Sequence, residues 1–379
     1  MERESLFGES VLWSGRPKEI TTPIVYRVGA AVCGVAAAIA TASAIVVASA
    51  GQARPGPLLG FAAWMTTLAF ALAALPKWWR AGLEFQCTDK HVVMRRGRMR
   101  RSIELRSISF ARIRWDPKRP GIGDLELVRA VPTGALRRRL AIVLPGLVAP
   151  DRVWAIMRGV TPAAPAGDGH RLLAQRLDEG ERVMWSAHPV HTWAAWLPRD
   201  VRAVGSVLVA GGLAGVALWT GAHAAHALRA VASAGLAPMS VTFIALVASL
   251  SLTMVLLIAA AAVVLYATLV RPARLDRRTR YWITDRRVLI QRGDEELHLD
   301  RSRVVDVIDA PAHGGLRDVF LVLDGPRARS FAASGAFGEA PPSSSLMMPA
   351  GLVPVLHRIA DVEPIHAILR SAEPFPRAA

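Results

Sequence analysis

The chain has no asparagine, only four lysines (Lys18, Lys77, Lys90 and Lys118) and two cysteines, Cys33 and Cys87. Two cysteines, one of them inside an apolar run, supply neither a disulfide framework nor the clustered spacing of a zinc site. The preference for arginine over lysine reads as the mark of a GC-rich bacterial genome, not of an activity. Charge is also missing, but only locally: residues 28–50, 57–75, 203–222 and 241–270 contain no Asp, Glu, Lys or Arg. Each run is close to or above the roughly 20 residues that cross a bilayer as a helix. One such run can be a buried helix of a soluble protein. Four, arranged as two close pairs, predict four transmembrane helices in two hairpins. The 52% hydrophobic content and the mean hydropathy of +0.31 agree. The first run follows a polar stretch holding Glu2, Arg3, Glu4, Glu9, Arg16, Lys18 and Glu19, which is not the pattern of a cleavable leader.

The cations outside the runs predict an orientation. Arg16, Lys18 and Arg27 precede the first run, and Lys77 and Arg80 follow the second. Arg199 and Arg202 precede the third, and Arg271, Arg274, Arg277, Arg278 and Arg280 follow the fourth. The connecting loops hold only Arg54 and Arg229. Because cytoplasmic loops carry the excess of Lys and Arg, this predicts a multi-pass protein of the bacterial inner (cytoplasmic) membrane with both termini in the cytoplasm. Trp78 and Trp79, beside Lys77 and Arg80, stand where amphipathic rings prefer the headgroup level.

The same plan occurs twice. Gly8-Glu9-Ser10-Val11-Leu12-Trp13-Ser14-Gly15-Arg16-Pro17 matches Gly180-Glu181-Arg182-Val183-Met184-Trp185-Ser186-Ala187-His188-Pro189 at an offset of 172 residues. Beyond each apolar pair, Thr88-Asp89-Lys90-His91-Val92-Val93-Met94-Arg95-Arg96-Gly97 matches Thr284-Asp285-Arg286-Arg287-Val288-Leu289-Ile290-Gln291-Arg292-Gly293 at an offset of 196. Ile103-Glu104 then pairs with Leu299-Asp300, and Ile108 with Val304. The matches lie in polar segments, and a longer second loop, 223–240 against 51–56, absorbs the change of offset.

Each polar portion predicts a small β-rich domain closed by a helix. Strands are expected at 83–88 and 91–96, reversing at Asp89-Lys90, and then at 99–105, 108–115, 124–130 and 140–144. Gly97 supplies the residue that tolerates positive φ at the second reversal. A helix is expected at 150–158, with Val153, Ile156 and Met157 on one side, and its counterpart at 362–370. Residues 325–348 read as a loose loop and 163–169 as part of a linker. The expected organisation is an N-terminal motif over 1–23, a hairpin over 24–76, a β domain over 81–160 and a linker over 161–176. The repeated motif then covers 177–200, the second hairpin 203–270 and the second β domain 281–373. The first half, to about residue 165, is expected to fold without the rest.

This plan resembles the bacterial PH-like domain membrane proteins. The likeness rests on the Glu-x-Val-hydrophobic-Trp-Ser-Gly-x-Pro start, the apolar pair and the Thr-Asp-Arg-Arg-Val-Leu-Ile-x-Arg-Gly segment. The resemblance implies an α+β membrane protein in which each hairpin is followed by a cytosolic PH-like domain, a strongly bent antiparallel sheet with a C-terminal helix. It also implies a link to the assembly of membrane complexes, in which some single-copy members take part. The copies differ at His91 against Arg287, at Gln86-Cys87 against Trp282-Ile283 and at Gly15 against Ala187, so diverged roles are expected.

Candidate chemistry is sparse. His188 and His191, like His223 and His226, are three apart, but no third ligand stands near, and loop or interfacial histidines are expected instead of a metal site. Gly121-Ile122-Gly123-Asp124 lacks the Gly-Lys-Ser/Thr of a phosphate loop and reads as a bend. Gly293-Asp294-Glu295-Glu296 reads as a solvated turn. Gly211 and Gly215 permit close helix approach, expected to serve packing inside the protein. Trp13 and Trp185, retained by the duplication, are expected to tuck against their own domains or to rest at the headgroup level.

Transport through the bilayer needs ionisable groups at membrane depth, and the four runs have none. No nucleophile, acid–base pair, metal or cofactor site stands out, so the expected function is non-enzymatic binding or scaffolding at a membrane. Residues 81–160 hold seventeen basic and seven acidic side chains, whereas 281–379 hold eleven and thirteen. Arg95, Arg96, Arg98, Arg100 and Arg101 surround the turn at Gly97, and Arg137, Arg138 and Arg139 form a second cluster. These are the candidates for binding anionic lipid headgroups. Other membrane proteins are the second class of partner, with assembly of a membrane complex as the alternative function. Nucleic acid is not expected, since no recognition motif accompanies the arginines.

Overall fold

The computed structural model describes residues 9–18, 22, 24–49, 55–129, 140–161, 173, 176–191, 201–233, 241–323 and 352–370. The linker at 163–169, the loop at 325–348 and the arginines Arg137, Arg138 and Arg139 lie outside the described residues. The described helices, in chain order, are α1 Ile24–Ser49, α2 Gly56–Ala81, α3 Pro150–Met157, α4 Val201–Ser233, α5 Val241–Leu265, α6 Arg271–Arg277 and α7 Glu363–Arg370. The chain divides into two compact units, a helical one from 22–78 and 193–274, and a β-rich one from 1–21, 79–192 and 275–379.

In the helical unit, α1, α2, α4 and α5 with its continuation are each long and apolar enough to cross a membrane. Their large side chains point outward: Ile45, Trp64, Phe70, Leu208 and Leu218 are all well exposed. A helix that is apolar all round and leaves such groups uncovered is suited to lipid, not water. Its polar atoms are satisfied within the helix, as lipid requires. The hydroxyls of Thr41, Thr66, Thr220 and Thr268 each donate to the carbonyl four residues back, at 2.7–2.8 Å. Helix α4 runs on to Ser233, so His223 and His226 belong to a helix and not to the expected loop. The small-residue expectation also needs correction. A Cβ on Gly211, Gly212 or Gly215 would meet nothing within 4 Å, whereas one on Gly221 would lie 2.7 Å from the Met254 methyl. Gly221 is therefore where α4 and α5 approach closely.

The β-rich unit contains the two repeats. In the first, β1 Val11–Gly15, β2 Glu84–Thr88, β3 His91–Arg96 and β4 Met99–Glu104 form an antiparallel sheet in that order. β5 Phe110–Trp115, β6 Ile122–Arg129 and β7 Leu140–Val148 follow, and α3 comes next in the chain. In the second, β8 Val183–Ala187, β9 Thr279–Thr284, β10 Arg287–Arg292 and β11 Glu295–Asp300 repeat the first sheet. β12 Val304–Pro311, β13 Arg317–Leu323 and β14 Val355–Ile359 form a further sheet, and α7 follows. The turn between β3 and β4 places Gly97 at φ 52°, and that between β10 and β11 places Gly293 at φ 62°. Both are left-handed conformations that cost glycine least.

Two features were not expected. The repeated Glu-x-Val-x-Trp-Ser motifs are themselves strands, β1 and β8, added to the edges at β2 and β9. In addition, the repeats share a sheet of seven strands, ordered β7-β6-β5-β11-β10-β9-β8, in which β5 of the first pairs antiparallel with β11 of the second. The first core packs Phe85, Ile113, Leu125, Leu144 and Trp154 together. The second packs Tyr281, Ile290, Leu297, Leu356 and Ile365, but also takes Phe110 and Val128 from the first repeat. The expectation that the first half folds alone is therefore at odds with a sheet and a core that cross the boundary.

Gly123, expected in a bend, lies instead within β6, opposite Trp115. A Cβ there would sit 2.7 Å from the Arg114 carbonyl oxygen and 3.3 Å from Pro150. Gly123→Ala is expected to cost about 1–3 kcal/mol as overpacking against backbone. A lowered denaturation midpoint of the detergent-solubilised chain would show it, and an unchanged midpoint would contradict it.

Candidate functional site

The arginine-rich turn is the more exposed feature. β3 and β4 pair Arg96 with Met99, Arg95 with Arg100 and Met94 with Arg101. Alternation along the strands sends neighbouring arginines to opposite faces, and Arg95, Arg98, Arg100 and Arg101 are all exposed. Arg96 is half-buried because its guanidinium stacks 3.7 Å from the Trp79 ring. The matching turn of the second repeat is covered. The Asp294 backbone carbonyl accepts the Trp115 amide at 2.9 Å, its side chain staying exposed, and Glu295 receives Arg114 at 2.7 Å and Arg292 at 2.9 Å. Glu296 is fully buried. The Glu295 and Glu296 carboxylates, expected to be solvated, are thus committed to the junction between repeats, while Asp294 keeps the exposure expected of it.

The duplicated motif proves to be a corner clamp. Glu9 accepts from the Thr88 hydroxyl at 2.6 Å and lies 2.9 Å from His91 Nδ1, while Thr88 Oγ1 accepts the His91 amide at 2.8 Å. The second repeat builds the same corner with Glu181 receiving Thr284 at 2.6 Å and Arg287 at 2.5 and 2.9 Å. The strand edge is pinned beside each clamp, by Asp89 N to Ser10 O and by Asp285 N to Arg182 O, both at 3.1 Å. Burial alone would push the Glu181 carboxyl up, but the Arg287 guanidinium and the Thr284 hydroxyl overcome it and hold the group down at about 2. The sign follows: a carboxylate with a depressed folded pKa stabilises fully above its unfolded value, near 4.5, and the stabilisation is lost as pH falls toward about 2. Glu181→Gln is expected to shrink the loss of stability between pH 5 and pH 2 that the parent chain shows in denaturant titrations. Equal pH dependence in the two would sink this assignment.

Around that clamp lies a buried network of charge. Arg287 also reaches Asp178 at 3.3 Å and His298 Nδ1 at 3.2 Å. Arg158 of the first repeat pairs with Asp178 and lies 3.4 Å from Asp300. Arg176, from the linker, pairs with Glu296, stands 3.9 Å from Asp151 and packs over the Trp115 ring at 5.3 Å. Burial pushes the His298 imidazole below its usual value, and Arg287 pushes it further against the opposing Glu296. The cavity among these groups is about 20 Å³, room for roughly one water molecule and no substrate. Chemically the network fixes register between repeats.

Trp13 and Trp185 each pack half-buried against the core of their own repeat, the first of the two placements expected of them. Trp78 is 70% exposed and Trp79 45% exposed at the end of α2. No group of three or more His, Cys, Asp or Glu among the described residues could hold a metal. His188 lies 3.3 Å from the Thr279 carbonyl and His223 2.9 Å from the Trp219 carbonyl.

No protein-family model, curated protein or solved structure matches the chain.

Proposed function

We propose that the chain is a non-enzymatic, multi-pass membrane scaffold of the PH-like kind. Its four helices cross the bilayer as two hairpins with both termini on the cytoplasmic side, and its first β domain contacts anionic lipid headgroups through the β3–β4 turn. One observation carries the reading: equivalent turns in the two repeats have opposite fates. Glu295 and Glu296 of the acidic turn are taken up inside the protein, while the basic turn has Arg95, Arg98, Arg100 and Arg101 exposed. Near an anionic leaflet each such arginine contributes roughly 1 kcal/mol, decaying within about a Debye length of 8–10 Å. Trp79 beneath Arg96 suits a turn working at headgroup depth.

The test uses the full chain in nanodiscs, with Cys33 replaced and a dye on Met99→Cys, which lies beside the turn. Cys87 can remain, since it is fully buried and burial pushes its thiol up to about 12. Quenching of the dye by headgroup-labelled lipid is expected to rise with the anionic fraction and to fall as salt is added. Arg95→Glu with Arg98→Glu should remove most of the rise. Quenching indifferent to anionic content would overturn the proposal.

A further inference from the structure

The junction between the repeats is head to tail. Two equivalent units meet through non-equivalent edges, since β5 of the first pairs with β11 of the second. At the offset of 196 residues, β11 is the counterpart of β4, and β12 the counterpart of β5. Among the described strands, each repeat therefore uses one of two complementary edges within the chain and leaves the other. Among the described strands, β4 pairs only with β3, and β12 only with β13. An edge strand with no partner is a template for another chain. We propose that the protein assembles with copies of itself by pairing β12 of one chain antiparallel to β4 of the next, which repeats between chains the junction already made within each.

The register can be written down. Within the chain, Glu295 stands opposite Arg114, Glu296 opposite Ile113, Leu297 opposite Arg112 and His298 opposite Ala111. Moved by the repeat offset, Met99 stands opposite Ala310, Arg100 opposite Asp309, Arg101 opposite Ile308 and Ser102 opposite Val307. Arg101 then lies diagonal to Asp306, within reach of a long side chain.

Charge selects this pairing over its rivals. In the existing junction the acids are on β11 (Glu295, Glu296) and the bases on β5 (Arg112, Arg114). In the proposed one the signs are exchanged, with bases on β4 (Arg100, Arg101) and acids on β12 (Asp306, Asp309). β5 and β11 are already flanked on both sides, so the rivals are like with like: β4 with a neighbour's β4 would gather the arginines of two strands in one ladder, and β12 with a neighbour's β12 would gather their aspartates. Like charges directly opposite are destabilising, so the head-to-tail pairing of β4 with β12 is favoured. Asp309 already receives His366 at 2.9 Å and Arg317 at 3.4 Å. A carboxylate has about four lone-pair sites and accommodates a further guanidinium. A contact of this kind closes into a ring or extends as an open row, according to the rotation per step. The inference shares Arg100 and Arg101 with the lipid reading, and a zwitterionic bilayer, which offers the arginines no net negative surface, keeps the two tests apart.

The experiment is cysteine cross-linking of the full chain in zwitterionic nanodiscs or native membranes, with Cys33 replaced. Opposed residues of an antiparallel pair have Cα atoms about 4.5–5.5 Å apart, inside the range of a disulfide. A chain carrying Arg100→Cys with Asp309→Cys is expected to give a ladder of dimers, trimers and higher species under oxidation. Arg100→Cys chains mixed with Asp309→Cys chains should give dimers and nothing larger, and each alone should remain monomeric. Arg101→Glu is expected to abolish the ladder, and Arg101→Glu with Ile308→Lys to restore it. As a control, Arg114→Cys with Glu295→Cys should close within the chain. No dimer from the mixed chains while this control closes would overturn the proposal. So would a dimer from Arg100→Cys alone, or a ladder indifferent to Arg101→Glu.

Discussion

Arg287→Ala is expected to lower the stability of the solubilised chain by about 3–5 kcal/mol, the usual cost of leaving a buried charge without its partner. The guanidinium is at once the clamp of the second repeat, through Glu181, and a tie to Asp178 at the start of the repeated motif. Its removal leaves the buried Glu181 carboxylate without its principal cation and takes a second cation from Asp178, which keeps Arg158. Burial pulls the Arg287 guanidinium down, yet Glu181, Asp178 and Asp300 together hold it above its ordinary value, so the cation is bound more tightly folded than unfolded. A buried ion pair is nevertheless weak proof of net stabilisation, because an apolar pair of similar volume often serves as well. Arg287→Met with Glu181→Leu is therefore expected to recover much of what Arg287→Ala loses. Denaturant midpoints of the parent chain and the two variants decide the matter. A loss under about 1 kcal/mol for Arg287→Ala would place the pair with exposed ones and contradict its burial.

The four long apolar helices were legible in the sequence because lipid imposes a crude and continuous demand on any helix able to cross it: twenty or so apolar residues and no charge. The strands and the helices α3 and α7 were legible from alternation and from the apolar side of each helix. The strands β1 and β8 were not. They are five residues long, and the Glu, Thr and His or Arg side chains that pin them are separated by 79–106 positions. The duplication was the one local sign of that clamp, since it retained Glu9 with Thr88 and Glu181 with Thr284. The junction was hidden more thoroughly. Its register depends on contacts such as Arg114 to Glu295, 181 residues apart, and nothing near Glu295 and Glu296 distinguishes acids that bridge two repeats from acids in a solvated turn. For the same reason the basic turn could be read directly while the burial of its acidic counterpart could not.

A chain cut between residues 165 and 166 is expected to remain associated as a one-to-one complex when both pieces are made together, and to fail when either is made alone. Residues 1–165 alone would present β5 without β11, leaving a row of backbone donors and acceptors and the core residues Phe110 and Val128 uncovered. They would also carry β4 and β5 as two bare edges, the condition under which strands recruit other chains. Residues 166–379 alone would uncover Glu296, which is fully buried in the whole chain and pairs with Arg176 beside the first repeat's Trp115. A hydrophobic core missing large side chains loses on the order of 3–5 kcal/mol for each aromatic removed, a large part of the roughly 5–15 kcal/mol that holds a domain folded. Size-exclusion profiles of the two pieces, separate and together, provide the measurement. Aggregation or degradation of each piece alone, with a single monodisperse complex from both, is the expected result. A first piece that is monodisperse alone, with the midpoint of the intact chain, would show that the shared sheet contributes nothing to its fold.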